Sequence, residues 1–167
     1  MNADELLVRE SIRDLVGRYN SAVDRGAYEE LARIFTPDGV LSFGGETGFD
    51  GCREIVSALR QAADRRGAFA AGNFQRHIIG NSIIHVDGER SARSIHYALV
   101  VSELGVDHFG LYRDDFVALD GRWLIRRRLA NLEWVRPDSR FAQYPRPVAT
   151  PPSVLDIWTS SGEGLNA

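Results

Sequence analysis

Apolar residues recur at helical spacing in the first part of the chain and predict three helices. The first is predicted over residues 4–25, a short second over 28–35 and the third over 52–66. The apolar face of the first consists of Ile12, Leu15, Val16, Tyr19 and Val23, and that of the third of Ile55, Val56, Leu59 and Ala63. Gly26 is a suitable helix end, and Thr36–Gly39 is predicted to end the second helix as a turn.

The remaining pattern is typical of strands joined by tight turns. Val40–Phe43 begins the strand region, and Gly44-Gly45 predicts a hairpin turn into Glu46–Asp50. After a loop, four long strands are predicted over 76–86, 91–103, 106–119 and 122–135. Because short turns connect them in succession, this part of the sheet is predicted to be antiparallel.

This order of elements places the chain in the α+β class. We expect a cone-shaped α+β barrel, in which three N-terminal helices pack on a curved, mostly antiparallel sheet and enclose a ligand pocket. Residues 1–135 form the predicted domain. Residues 136–167 form an extension with four prolines between 137 and 151. It is either a disordered tail or, as we expect from its exposed aromatic residues, a segment docked on the domain or on a neighbouring subunit. The apolar residues available for docking are Phe141, Tyr144, Leu155, Ile157 and Trp158.

Composition excludes several classes of function. The net charge of -3 gives no reason to expect nucleic acid or an anionic membrane as a partner. The chain has no lysine, so Schiff-base chemistry is excluded, and its single cysteine excludes an intramolecular disulfide. The acidic N-terminus is unlike a secretory signal, and no stretch approaches the roughly 20 apolar residues of a membrane span. We therefore expect a cytoplasmic protein.

Histidine is the first residue type to consider for acid–base chemistry near neutral pH. Strand alternation places His77 and Asn81 on one face, and a two-residue turn at either Asp87-Gly88 or Gly88-Glu89 places His96 on that face. With the second of these turns, His96 lies directly opposite Asn81. A β-bulge would reverse this parity. The alternative interpretation is a polar outer face or satisfied core histidines. We expect His85 and His108 to be structural or exposed.

Asp24, Tyr19 and a run of three arginines are the other candidates for chemistry. Asp24 lies at the end of the first helix, where the helix dipole disfavours a carboxylate, so another interaction must explain it. Tyr19 either packs in the core or directs its hydroxyl into a pocket. In the run Arg126–Arg128 exposure is the expected state of any one side chain, and a buried arginine would require a carboxylate or a substrate oxyanion.

Known motifs of other site classes are missing from the sequence. It contains no phosphate-binding glycine loop, no His-Glu-x-x-His and no nucleophile elbow. His77, His96 and Asp24 could together bind a metal, but their spacing does not require it. We predict no metal and no cofactor.

The order and spacing of several short motifs over residues 5–135 resemble the SnoaL-like domains of the nuclear-transport-factor-like superfamily. The matching pieces are Tyr19-x4-Asp24, Phe35-Thr-Pro-Asp-Gly-Val40, Gly51-x3-Ile55, Arg76-His77-x3-Asn81, Gly110-x-Tyr112-x-Asp114 and Asp120-Gly-x-Trp123-x-Ile125-x2-Arg128. The chain is most similar to the branch that includes scytalone dehydratase, hexachlorocyclohexane dehydrochlorinase and bile acid 7α-dehydratase.

This resemblance implies a cofactor-free lyase or isomerase acting on a small, apolar, cyclic or polycyclic molecule. It implies that Asp24 and His77 form a catalytic dyad, and that Tyr19 helps to hold the substrate. Arg128 matches an active-site arginine of the branch, and His96 would be a variation on its pattern. In a β-elimination, His77 would accept the proton and Asp24 would fix the tautomer. Tyr19, Asn81, His96 or Arg128 could then stabilise the enolate or protonate the leaving group.

Two alternatives use the same fold. One is a non-catalytic scaffold like the β subunit of a ring-hydroxylating dioxygenase, and the other is a polyketide cyclase or ligand-binding domain. Relatives associate through the sheet face, so we also predict a homo-oligomer, either a dimer or a trimer.

Overall fold

Three helices and six strands make up the described part of the chain. The computed structural model describes residues 2–44 and 48–142. The helices are α1 (Ala3–Arg25), a 3₁₀ helix (Tyr28–Arg33) and α2 (Cys52–Arg66). The strands are β1 (Phe35–Phe43), β2 (Gly48–Asp50), β3 (Gln75–Gly88), β4 (Ser91–Ser102), β5 (Gly105–Leu119) and β6 (Arg122–Val135). None of the helices in these ranges has the length and apolar character needed to cross a membrane.

Each α-helix ends at a glycine in the left-handed conformation. Gly26 follows α1 with φ of 70°, and Gly67 follows α2 with φ of 59°. Residues other than glycine rarely adopt this backbone conformation. At the other end of α1, the Asn2 side chain accepts a hydrogen bond of 2.8 Å from the Glu5 N–H. These local signals explain why the predicted limits of both helices agree closely with the observed ones.

The six strands form one sheet in the order β2-β1-β6-β5-β4-β3. β1 and β6 are parallel, and all other neighbours are antiparallel. The parallel pair joins the first strand of the chain to the last, a pairing that only a long connection permits. The predicted α+β class with a mostly antiparallel sheet is confirmed.

The predicted turn at Thr36–Gly39 is wrong, because these residues continue β1. They lie at an irregularity in the pairing with β6, which breaks between Phe35 and Val40. Pro37 and Asp38 are exposed there. A bulged strand accommodates proline because its missing N–H interrupts no regular ladder hydrogen bond.

One face of the sheet packs against the helices. Fully buried core residues include Ile12 of α1, Leu31 of the 3₁₀ helix, Ile55 of α2 and Ile125 of β6. All belong to one hydrophobic cluster. This packing holds the C-terminal end of α1 against β3, which positions the candidate site.

The chain continues past β6 against the main domain. The Arg136 N–H donates to the carbonyl of Asp107 over 2.9 Å, and Phe141 packs on His108 with ring centroids 4.4 Å apart. The predicted docking of Tyr144, Leu155, Ile157 and Trp158 concerns residues 143–167, which lie outside the described ranges.

Candidate active site

A cavity of about 510 Å³ lies between α1, α2 and the inner face of the sheet. Its wall is mainly apolar, with contributions from Val23, Leu59, Val100 and Leu132. The polar side chains in the wall include Tyr19, Arg65, Arg66, Gln75, His77, His108 and Asn131. An apolar space with a few convergent polar groups is the usual form of a small-molecule site.

Asp24 and His77 meet at this cavity. Asp24 Oδ1 is 2.6 Å from His77 Nδ1, and Asp24 Oδ2 accepts the His77 backbone N–H over 2.9 Å. The two side chains are 9% and 10% exposed. The carboxylate thus fixes both the ring and the backbone of the strand, which explains why an acidic side chain stands at the helix C-terminus.

The geometry assigns a tautomer to His77. A carboxylate can only accept hydrogen bonds, so Nδ1 carries the proton and the N–H donates a hydrogen bond to Asp24. The lone pair then lies on Nε2, and the ring belongs to the cavity wall. An imidazole held in this way can accept a proton, because the adjacent carboxylate stabilises the imidazolium that forms.

Tyr19 lies in the cavity wall, as the sequence-based prediction requires of a substrate-binding residue. Burial raises the pKa of its hydroxyl, which therefore stays protonated near neutral pH. The Arg128 guanidinium stacks over the Tyr19 ring at 4.1 Å and over the Tyr112 ring at 4.3 Å. These contacts fix the orientation of Tyr19.

Arg128 is placed differently from the prediction that it binds substrate. Its side chain is 0% exposed, does not line the cavity and forms a bidentate ion pair with Asp114, at 2.8 and 2.6 Å. A buried arginine needs such a partner. In this structure its guanidinium contacts the rings of Tyr19 and Tyr112 instead.

His96 and Asn81 also lie away from the cavity wall. β3 has a register shift between Ile79 and Ser82, so His96 pairs with Ser82. The bulge turns Asn81 to the exposed side. The predicted pairing of His96 with Asn81 is therefore wrong, since sequence alone does not locate a bulge.

His96 is a satisfied core histidine. Its ring nitrogens lie 2.6 Å from Ser94 Oγ and 2.7 Å from Ser82 Oγ, and its side chain is 1% exposed. Burial lowers the pKa of His96 to about 4, an effect that the nearby Asp114 carboxylate only partly offsets. The ring is therefore neutral at physiological pH.

His108 is the residue whose position the sequence analysis missed. We expected it to be structural or exposed, but it lies in the cavity wall with its side chain 11% exposed. The neighbouring Asp107 was an available signal, because an Asp–His sequence can form an anchored imidazole. His85 is exposed and lies 3.3 Å from Asp87, in agreement with the expectation.

The described residues contain no group of three or more His, Cys, Asp and Glu side chains arranged to hold a metal ion. The side chains that meet at the cavity are instead suited to moving a proton within an apolar space.

The sequence profile of the SnoaL-like domain family matches residues 4–129. The chain belongs to this family. A protein of Mycobacterium tuberculosis, described as uncharacterized, is 32% identical over 135 residues, which cover 77% of this chain and 88% of that protein.

Two solved structures share the fold. One is a putative scytalone dehydratase from Novosphingobium aromaticivorans, with a TM-score of 0.74 and 20% identity over 90% of this chain and 99% of that one. The other is a hexachlorocyclohexane dehydrochlorinase from Novosphingobium barchaimii, with a TM-score of 0.67 and 17% identity over 80% of this chain and 91% of that one.

Proposed function

We propose that this protein is a cofactor-free lyase or isomerase that removes a proton from a carbon atom of a small cyclic molecule. The observation that carries the proposal is the Asp24–His77 pair, joined at 2.6 Å in the wall of an apolar cavity. The dehydratase and dehydrochlorinase named among the fold neighbours support it.

The proposed step begins with His77. Its Nε2 takes a proton from carbon, the C–H electrons form a double bond, and hydroxide or halide leaves from the adjacent carbon. Asp24 stabilises the imidazolium through Nδ1. In this proposal Tyr19, whose hydroxyl stays protonated, donates a hydrogen bond to a substrate oxygen as charge develops on it.

The cavity supplies the rest of the catalytic effect. General base catalysis contributes roughly 10²–10⁴-fold, so substrate placement and exclusion of water must supply more. A volume of about 510 Å³ lies within the usual range of small-molecule sites and accommodates a cyclic or polycyclic molecule. The predominantly apolar wall favours a substrate with few polar groups.

The proposal is tested by incubating the protein in D₂O with a panel of cyclic compounds. The panel contains β-hydroxy ketones fused to an aromatic ring, halogenated cyclohexanes and β,γ-unsaturated cyclic ketones. Mass spectrometry then detects loss of water, loss of hydrogen halide or uptake of deuterium. We expect turnover of at least one class. His77→Ala and Asp24→Asn should each reduce it roughly 10²–10⁴-fold, because they remove the base or its orientation.

A matched control is His85→Gln, which removes an exposed histidine that lies outside the cavity. We expect it to retain full turnover. Full turnover by both His77→Ala and Asp24→Asn would refute the proposal. No turnover by any class, together with co-purification of an iron–sulfur subunit, would favour the scaffold instead.

A further inference from the structure

The same cavity contains a second histidine anchored by a carboxylate. His108 Nδ1 lies 2.7 Å from Asp107 Oδ2, and the two side chains are 11% and 4% exposed. As at His77, the Nδ1–H donates a hydrogen bond to the carboxylate, so the lone pair lies on Nε2. The proposed reaction does not use this pair.

A β-bulge explains how adjacent residues can form such a pair. In a regular strand, the side chains of Asp107 and His108 would point to opposite faces. Here Val100 pairs with His108 while Val101 pairs with Val106, so Asp107 is an extra residue in β5. The bulge re-aims its side chain towards the imidazole.

The Asp107 carboxylate is held by further hydrogen bonds. Ser102 Oγ donates to Oδ1 over 3.1 Å, and Ser139 Oγ donates to Oδ2 over 2.6 Å. Phe141 covers the His108 ring from the segment that follows β6. Residues of β4, β5 and the segment after β6 thus hold the His108 imidazole in one orientation.

The two anchored histidines stand on either side of Val100. Val100 pairs with His77 of β3 and with His108 of β5, and directly opposed residues share a face of the sheet. Adjacent strands are about 4.8 Å apart, so the Cα atoms of the two histidines are separated by about 10 Å. Both side chains belong to the wall of the same cavity, so one bound molecule can contact both.

We propose that His108 binds a hydroxyl group of the substrate through Nε2, at the opposite side of the ring from the carbon that His77 deprotonates. The substrate class is therefore a hydroxylated cyclic or polycyclic molecule. Burial, together with the proximity of His77, lowers the pKa of His108, and the side-chain contact with Asp107 opposes this only in part. The ring is thus neutral near pH 7 and accepts a hydrogen bond.

This inference deepens the proposed function and rests on it for the position of the reacting carbon. Its test, however, needs no turnover. The probes are 2-naphthol and 2-methoxynaphthalene, which have the same ring system, although only naphthol can donate a hydrogen bond. Binding to the full chain is measured by calorimetry at pH 7.5.

We expect naphthol to bind about five- to tenfold more tightly than its methyl ether, the usual effect of one hydrogen bond. His108→Phe should abolish this preference, and Asp107→Asn should reduce it. His85→Gln should leave it unchanged. The ¹⁵N spectrum of the His108 ring, assigned by comparison with His108→Phe, should show a proton on Nδ1 and a shift of Nε2 when naphthol binds.

Two results would overturn the inference. One is an equal or undetectable affinity of the unmodified protein for the two probes. The other is a preference that survives His108→Phe and Asp107→Asn but is lost in His77→Phe, which would place the hydroxyl at His77. A preference that depends on His108 would support the inference even if no panel compound were turned over, so failure of the two proposals can be distinguished.

Discussion

At the scale of the residue, the ion pair between Arg128 and Asp114 has a predictable effect on stability. Arg128 and Asp114 are both fully buried and mutually bonded. We expect Arg128→Met to lower the free energy of unfolding by about 3–5 kcal/mol, because Asp114 is left buried without its partner. Urea unfolding measures this change. The control is Arg126→Met, which replaces an exposed arginine of the same strand and should change the free energy of unfolding by less than about 0.5 kcal/mol.

The double variant Arg128→Met/Asp114→Leu separates charge from packing. If the cost arises from the unpaired carboxylate, we expect the double variant to recover much of the lost stability. A double variant no more stable than Arg128→Met would show that the stacking of Arg128 on Tyr19 and Tyr112 is the larger contribution.

His96 predicts a pH dependence of stability. Its pKa is about 4 in the folded protein and 6.5 when unperturbed. Between these pH values His96 is protonated in the unfolded chain but neutral in the folded protein, so a falling pH stabilises the unfolded chain. The stabilisation is complete above pH 6.5 and is lost as the pH falls towards 4. The loss is about 3 kcal/mol.

Chemical denaturation at a series of pH values between 4 and 7 measures this effect. His96→Gln should flatten the dependence, and His85→Gln should not change it. The comparison concerns slopes, since His96→Gln also alters the hydrogen bonds of Ser82 and Ser94. Identical slopes for the unmodified protein and His96→Gln would contradict the assignment.

At the scale of the element, the close approach of β5 and β6 depends on Gly110. A Cβ atom at this position would overlap the carbonyl oxygen of Asn131. We expect Gly110→Ala to destabilise the fold by about 3 kcal/mol or more, because the contact is with backbone that cannot rotate away. Thermal unfolding tests this expectation.

Gly80 of β3 is the matched control. A Cβ atom there would lie 3.8 Å from its nearest neighbour, the Tyr97 carbonyl oxygen, which is ordinary contact. Gly80→Ala should therefore be tolerated. Equal stability of the two variants would mean that β5 and β6 can separate without cost at Gly110.

The elements that sequence predicts well are those with local signals. The limits of α2 follow from its apolar spacing and from the glycines at both ends, Gly51 and Gly67. The long strands likewise follow from alternation and from turns such as Asp120-Gly121. The bulges have no such signal, because they depend on how one strand fits its partner.

Part of the candidate site could be predicted from the sequence, and part could not. Asp24 and His77 could be paired from motif resemblance, and the structure brings them together. His96 lies on the predicted face of β4, but its partner and the exposure of Asn81 could not be predicted, because the irregularity near Ile79 shifts the pairing by one residue. The bulge near Val100 likewise has no sequence signal, although the Asp107-His108 pair itself is visible in the sequence. Arg128 could not be assigned, since its burial depends on Asp114 of another strand.

At the scale of the whole molecule, the outer face of the sheet carries exposed apolar side chains. They include Ile78, Tyr97, Phe109 and Trp134, and the last two rings stack at 5.5 Å. This surface is compatible with the homo-oligomer, which stays a prediction. The inner face, by contrast, is occupied by the core and the cavity, so the chemistry and any assembly would use opposite sides of one sheet.

The measurement that most directly tests the central claim is a single-turnover isotope effect. The compound converted most rapidly in the panel is deuterated at the carbon that loses the proton, which adjoins the carbon bearing the leaving group or, in an unsaturated ketone, lies α to the carbonyl. We predict that the unmodified protein converts the deuterated compound several-fold more slowly than the undeuterated one. His77→Ala should convert neither compound appreciably. Equal rates for the two compounds, or conversion that persists without His77, would contradict proton removal by the Asp24–His77 pair.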